Sequence, residues 1–135
     1  MSVRNDFNFI TFEKHFPKVR RNIAVRLAEL AAKHFKDSFH KGGFVDETLV
    51  KWEPSRRERN GRGKTLIDTG ALRNSIKAVK RNYNQSVITS NISYAFEHNE
   101  GTNGQLKRKF LGRSAVLDRA SMKIIAEEMN KIFEK

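Results

Sequence analysis

An α+β domain is the fold class this sequence predicts, and three observations carry it. Apolar residues recur at helical spacing from Val19 to Phe39. Two short stretches with strand-like patterning flank Asn82-Tyr83-Asn84. A second helical stripe runs from Ser114 to the end. The expected architecture is a long N-terminal helix, a small antiparallel sheet of three to four strands and a C-terminal helix. At 135 residues the chain suits one domain, 1–135, with enough length to bury a core. Its ten Phe, two Tyr and one Trp support folding, because disordered chains are poor in aromatics.

Residues 1–16 hold Phe7, Phe9, Phe12 and Phe16 and are expected to form a loose arm. Pro17 suits the first turn of a helix, where its missing N–H does no harm. From there Val19, Ile23, Leu27, Leu30, Ala31, Phe35 and Phe39 form one stripe, with Lys18, Arg21, Arg26, Glu29, Lys33 and Lys36 on other faces. Gly42-Gly43 ends the helix.

Residues 41–65 change character. The run Ser55 to Lys64 carries five positive charges against one negative and has no apolar residue to bury. It predicts a mobile basic loop, too long for a plain connector. Trp52 stands just before it as an anchor into the core.

Asp68-Thr69 before Gly70-Ala71-Leu72-Arg73-Asn74-Ser75 predicts a capped turn of helix. A hairpin follows, from Ile76 through Asn82-Tyr83-Asn84 to a β-branched strand over 85–91. Tyr94 to His98 reads as either a third strand or a short helix. Glu100 to Gly104 is a loop, and Lys107, Arg108, Lys109 and Arg113 form a second basic cluster. The final helix carries Leu117, Ser121, Ile125, Met129 and Ile132 on one stripe.

The formal net charge of +12 favours a polyanion or an acidic protein face, or else serves as a solvated surface. Cysteine is absent, which excludes disulfides and thiolate metal sites. The first ten residues lack an apolar leader core, and no stretch has the apolar length of a membrane span. A cytoplasmic origin and no membrane partner are therefore expected.

Candidate chemistry is thin. His98 lies between Glu97 and Glu100, but His15, His34 and His40 sit far upstream without ligand spacing. Asp68-Thr69-Gly70 matches the aspartic-protease triplet, yet its continuation differs and no flap-like hairpin follows. Gly61-Arg62-Gly63-Lys64-Thr65 ends like a phosphate-binding loop, but Glu58 stands where the first glycine belongs. Ser75 and Ser114 have no nucleophile-elbow context. The sequence therefore predicts no enzyme, no catalytic residue, no metal and no cofactor. The cations Arg56, Arg57, Arg59, Arg62, Lys64, Lys107, Arg108, Lys109 and Arg113 are the candidate partner or DNA contacts; with no nucleic-acid-reading module, DNA binding would be phosphate-led.

Three landmarks in order, Leu66 to Ile76, Tyr94 to Gly101 and Arg108 to Ser114, follow Trp52. The series resembles the phage virion morphogenesis and tail-completion family of tailed bacteriophages, over about residues 50–133. The matching positions are Trp52, Asp68, Thr69, Gly70, Leu72, Arg73, Ser75, Tyr94, Ala95, His98, Gly101, Phe110, Leu111 and Gly112. One departure is Leu106-Lys107-Arg108-Lys109, where the family often has prolines. The resemblance implies a structural protein that completes a phage or prophage tail, or joins it to the head. It implies assembly into a homo-oligomeric ring, tail or neck proteins as partners, and a location in the host cytoplasm and then the virion. Trp52, Leu72, Tyr94 and Phe110 are expected to pack the motif core, and Arg73 to contact partners. The alternative is a nucleic-acid-binding accessory protein without sequence preference.

Overall fold

The apolar stripe of the N-terminal segment does form a helix, and a longer one than its spacing predicts. The computed structural model describes residues 9–67, 70–82 and 85–133, with side chains from Glu13 onward. Helix α1 spans Phe9–Lys41, 33 residues, a rod of about 50 Å at 1.5 Å per residue. Residues 9–16 are therefore helical, which corrects the expected arm over 1–16; residues 1–8 lie outside the described residues. Pro17 sits inside the helix and is exposed. It cannot donate to the carbonyl of Glu13, and solvent on that face can hydrate the orphaned oxygen. Along the stripe Val19, Phe35 and Phe39 are buried, and Ile23 and Leu27 between them are partly covered.

The expected loop over 41–65 is in large part ordered. Gly42 closes α1 with φ 71°, and its N–H donates to the Ser38 carbonyl at 2.9 Å. Strand β1 (Gly43–Val45) pairs antiparallel with β2 (Leu49–Lys51), Phe44 opposite Val50. This hairpin escapes sequence reading because each strand is only three residues long. One turn of helix, α2 (Arg56–Arg59), follows, and its N–H of Glu58 donates to Ser55 Oγ at 3.3 Å. Thr65 is 3% exposed and closes the segment. Its Oγ1 accepts from the Ser55 N–H at 2.9 Å and donates to Glu58 Oε2 at 2.5 Å. A run without apolar residues is thus held by polar ties.

Helix α3 (Ala71–Ser75) stands where the motif predicts a helical turn, but its N-cap residue is Gly70 at φ 81°. Asp68 and Thr69, the expected caps, lie outside the described residues. Strands β3 (Lys77–Asn82) and β4 (Gln85–Thr89) form the expected antiparallel hairpin, with Val79 opposite Val87 and an irregularity between Lys80 and Asn82. Tyr83 and Asn84 of the turn are outside the described residues. Among the described residues the four strands form two separate two-stranded ladders, in an α+β domain. The segment left open between strand and helix is helix α4 (Ala95–Glu100), ended by Gly101 at φ 73°.

Helix α5 (Ala115–Phe133) packs along α1. Its first turn is capped from far away in sequence. Asp46, in the β1–β2 turn, accepts from Ala115 N–H through Oδ1 at 2.8 Å and from Val116 N–H through its carbonyl at 3.2 Å. Ser114 Oγ accepts from Leu117 N–H and donates to the Val45 carbonyl at 2.7 Å. The main core joins Phe35 and Phe39 of α1 to Phe44, Trp52, Leu72, Ile76, Ala95 and Phe110.

Candidate functional site

The three sequence landmarks and Trp52 converge on that core. Trp52 is buried, and its indole N–H donates to the Lys109 carbonyl at 2.8 Å. Its ring meets Phe39 edge-on at 5.5 Å, and Phe39 in turn packs against Phe110. Leu72, Ala95 and Phe110 are all buried there, and Leu111 packs against the cluster. Tyr94 does not join them. It is 43% exposed and lies edge-on to the His98 ring, so the expectation that it packs the core is corrected. Placed just before α4, it sits at the rim while Ala95 takes the interior position.

Gly70, Gly101 and Ser75 shape the backbone around this core. At Gly70 an added Cβ would lie 3.3 Å from Arg73 Nη2, on a left-handed backbone that side chains resist. At Gly101 the Cβ would meet Lys107 at 2.7 Å. Ser75 Oγ donates to the Leu72 carbonyl at 2.6 Å and shares a hydrogen bond with Ser90 Oγ. Arg73 is partly buried, with Nη1 3.1 Å from His40 Nε2 and Nε 3.3 Å from Asn74 Oδ1. Gly112 is exposed.

Asn99 is the residue that sequence reading missed. Its Oδ1 accepts from the N–H groups of Phe110 (2.8 Å) and Leu111 (2.9 Å), and its Nδ2 donates to the Leu111 carbonyl at 3.1 Å. One amide therefore clamps the Phe110-Leu111 segment to α4. A signal was present: Asn99 falls within the second landmark, but nothing local links it to residues eleven and twelve places on.

The two basic clusters divide. Arg56, Arg59, Arg62, Lys64, Lys107 and Arg113 are exposed. Lys109 is partly buried, with its ammonium 4.7 Å from the centre of the Phe44 ring. That cation–π contact gives it a structural role. Arg113 Nε lies 3.6 Å from Asp118 Oδ2, an exposed pair that contributes little. Arg56 and Arg57 of α2 meet Arg108 of the second cluster at a cavity of 550 Å³. Leu66, Leu72, Tyr94 and His98 also line it. Arg108 is held by its main chain and its side chain. Its N–H donates to the His98 carbonyl and its Nε to the Glu53 carbonyl, both at 2.8 Å. Leu66 has a φ of 61°, which costs a non-glycine residue about 1 kcal/mol.

His98 is half-buried. Burial holds its pKa below the ordinary 6.5; the Arg108 charge adds to that effect and Glu97 opposes it. Its Nδ1 is buried without a hydrogen-bond partner among the described residues. No group of three His, Cys, Asp or Glu able to hold a metal occurs among the described residues. Among the described residues the deepest carboxylate lies elsewhere: Glu128 is 2% exposed, and its Oε1 accepts from Arg26 at 3.0 Å and Lys131 at 2.9 Å. Among the described residues no helix is long and apolar enough to cross a membrane. Compared with protein-family models, curated proteins and solved structures, the chain finds no match in any of the three.

Proposed function

We propose that this chain is a structural assembly protein of a tailed phage or prophage, acting without catalysis in tail completion or head–tail joining. The observation that carries the reading is the convergence of the landmarks. Trp52, Leu72, Ala95 and Phe110 share one core, and Asn99 and Trp52 fix the Phe110 segment. Residues that form the resemblance therefore build a scaffold for loops, as an assembly module needs. Strand β3 is exposed along its length, and the β3–β4 ladder holds only two strands among the described residues. Such a surface suits docking by neighbouring subunits in a ring. The protein would act in the host cytoplasm and then within the tail or neck of the particle.

The test is deletion of the gene from its phage or inducible prophage, with electron microscopy of the lysate. Filled heads beside unattached or misshapen tails are expected. Trp52→Ala and Gly70→Val are expected to fail in complementation. Normal infectious particles from the deletion would overturn the reading.

The second reading, an accessory protein that binds nucleic acid without sequence preference, is favoured by the exposed Arg59, Arg62 and Lys64. It requires tight duplex binding that weakens steeply with salt. The assembly reading requires weak binding at physiological salt, with self-association that grows with protein concentration.

A further inference from the structure

Two basic segments about fifty residues apart in sequence wall the same cavity, and their meeting there is a product of the fold. We propose that this cavity is a docking site for an acidic peptide segment of a protein partner, whose Asp or Glu carboxylates are held by Arg56 and Arg108. The identity of the partner as a protein rests on the assembly reading; the site itself does not.

Charge sets the sign of the ligand. Arg56 and Arg108, with Arg57, are among its lining residues, and none of the described lining residues is acidic. A guanidinium is a planar fork that matches a carboxylate through two parallel hydrogen bonds. Arg108 is already oriented, because its Nε is held on the Glu53 carbonyl and its backbone N–H on the His98 carbonyl. Less side-chain freedom is then lost when an anion arrives.

Shape and lining select a peptide over a nucleic-acid backbone. At 550 Å³ the cavity has the size of a side-chain or small-ligand pocket. Leu66 and Leu72 give it apolar wall, and the exposed Tyr94 stands at its rim. Hydrocarbon beside paired cations suits a Glu or Asp side chain and its apolar neighbours. A duplex instead spreads its phosphates over an open face. The exposed cations best suited to that, Arg59, Arg62 and Lys64, do not line the cavity.

The test uses the full chain and fluorescence anisotropy. The probes are a short fluorescein-labelled peptide of alternating Glu and Ala, its Gln counterpart, and labelled single-stranded and duplex DNA. The Glu peptide is expected to bind and the Gln peptide to bind at least about tenfold more weakly. Arg56→Gln with Arg108→Gln should lower affinity for the Glu peptide by about tenfold or more. Arg59→Gln with Arg62→Gln should change it by no more than about twofold. Thermal melts check folding; if the Arg108 variant is unfolded, Arg56→Gln alone carries the comparison, with an expected loss of at least about threefold.

Equal losses from both pairs would mean diffuse attraction and would overturn the site. So would absence of Glu-peptide binding at millimolar concentration, or tighter binding of DNA lost with the same cavity variants. The two proposals fail separately. Normal particles after gene deletion, with peptide binding as expected, would remove the assembly reading and leave the site. Defective particles, with peptide binding indifferent to the cavity variants, would do the reverse.

Discussion

Replacing Asn99 with Ala is expected to destabilise the fold by about 3 kcal/mol although the side chain has no charge. Three hydrogen bonds to the Phe110-Leu111 backbone are lost at once. Each contributes about 1 kcal/mol net, and a donor left buried costs more than one returned to water. The Phe110 N–H belongs to a residue that is 0% exposed, so water does not readily replace the amide there. In urea, with a slope of about 1.5 kcal/mol per molar, the midpoint should fall by about 2 M at unchanged slope. Trp52 is the only Trp and is hydrogen-bonded to the carbonyl of Lys109, next to Phe110. Its emission therefore reports on this segment directly. Asn99→Asp keeps an acceptor for both N–H groups but turns an oxygen toward the Leu111 carbonyl. Its loss should be about half as large. A midpoint shift under about 0.5 M for Asn99→Ala would refute the clamp, and equal shifts for both variants would refute the division between acceptor and donor.

Other consequences follow from single positions. Gly43→Ala places a Cβ 2.4 Å from the Val50 carbonyl oxygen and 2.7 Å from Lys51 Cα. It should cost about 2–3 kcal/mol. Gly42→Ala meets open space and only the strain of φ +71°, about 1 kcal/mol, so thermal melts should rank the pair in that order. The His98 imidazole should titrate below 6.5 by NMR. Because the unfolded state takes up the proton first, stability contributed there is lost as pH falls from 6.5 toward the folded value. Arg108→Gln should raise that value, and an unmoved titration would discount the Arg108 charge. For Glu128 the hydrogen bond from Lys131 lowers the pKa most, burial opposes, and Arg26 adds to the lowering. Its contribution is full above the ordinary 4.5 and is lost as pH falls through the depressed folded value. Glu128→Gln should flatten the acid limb of stability against pH, and an identical limb would show that other carboxylates govern it.

Local patterning was enough for several elements. The α1 and α5 stripes are read from the 3.6-residue period, and the β3–β4 hairpin from its alternation, its β-branched residues and the turn residues between its strands. Trp52 as an anchor was also legible, since a lone Trp beside a polar run has one favourable place to go. Pro17 misplaced the start of α1, because a long helix with solvent on one face tolerates the missing rung. Strands of three residues gave no period to read, so β1 and β2 stayed hidden.

By itself, then, the sequence determined the α+β class, the two long helices, one hairpin and the large positive charge. Those properties are set by neighbours in the chain. Tertiary structure alone decided that Tyr94 stands at a rim while Ala95 is buried, and that Asp46 caps a helix 69 residues away. It also decided that Asn99 holds Phe110, and that Arg108 joins Arg56 and Arg57 at one cavity while Lys109, its neighbour, lies over Phe44. Hydrogen bonds and charge pairs act over a few ångströms, and sequence distance carries no information about which groups the folded chain brings within that range.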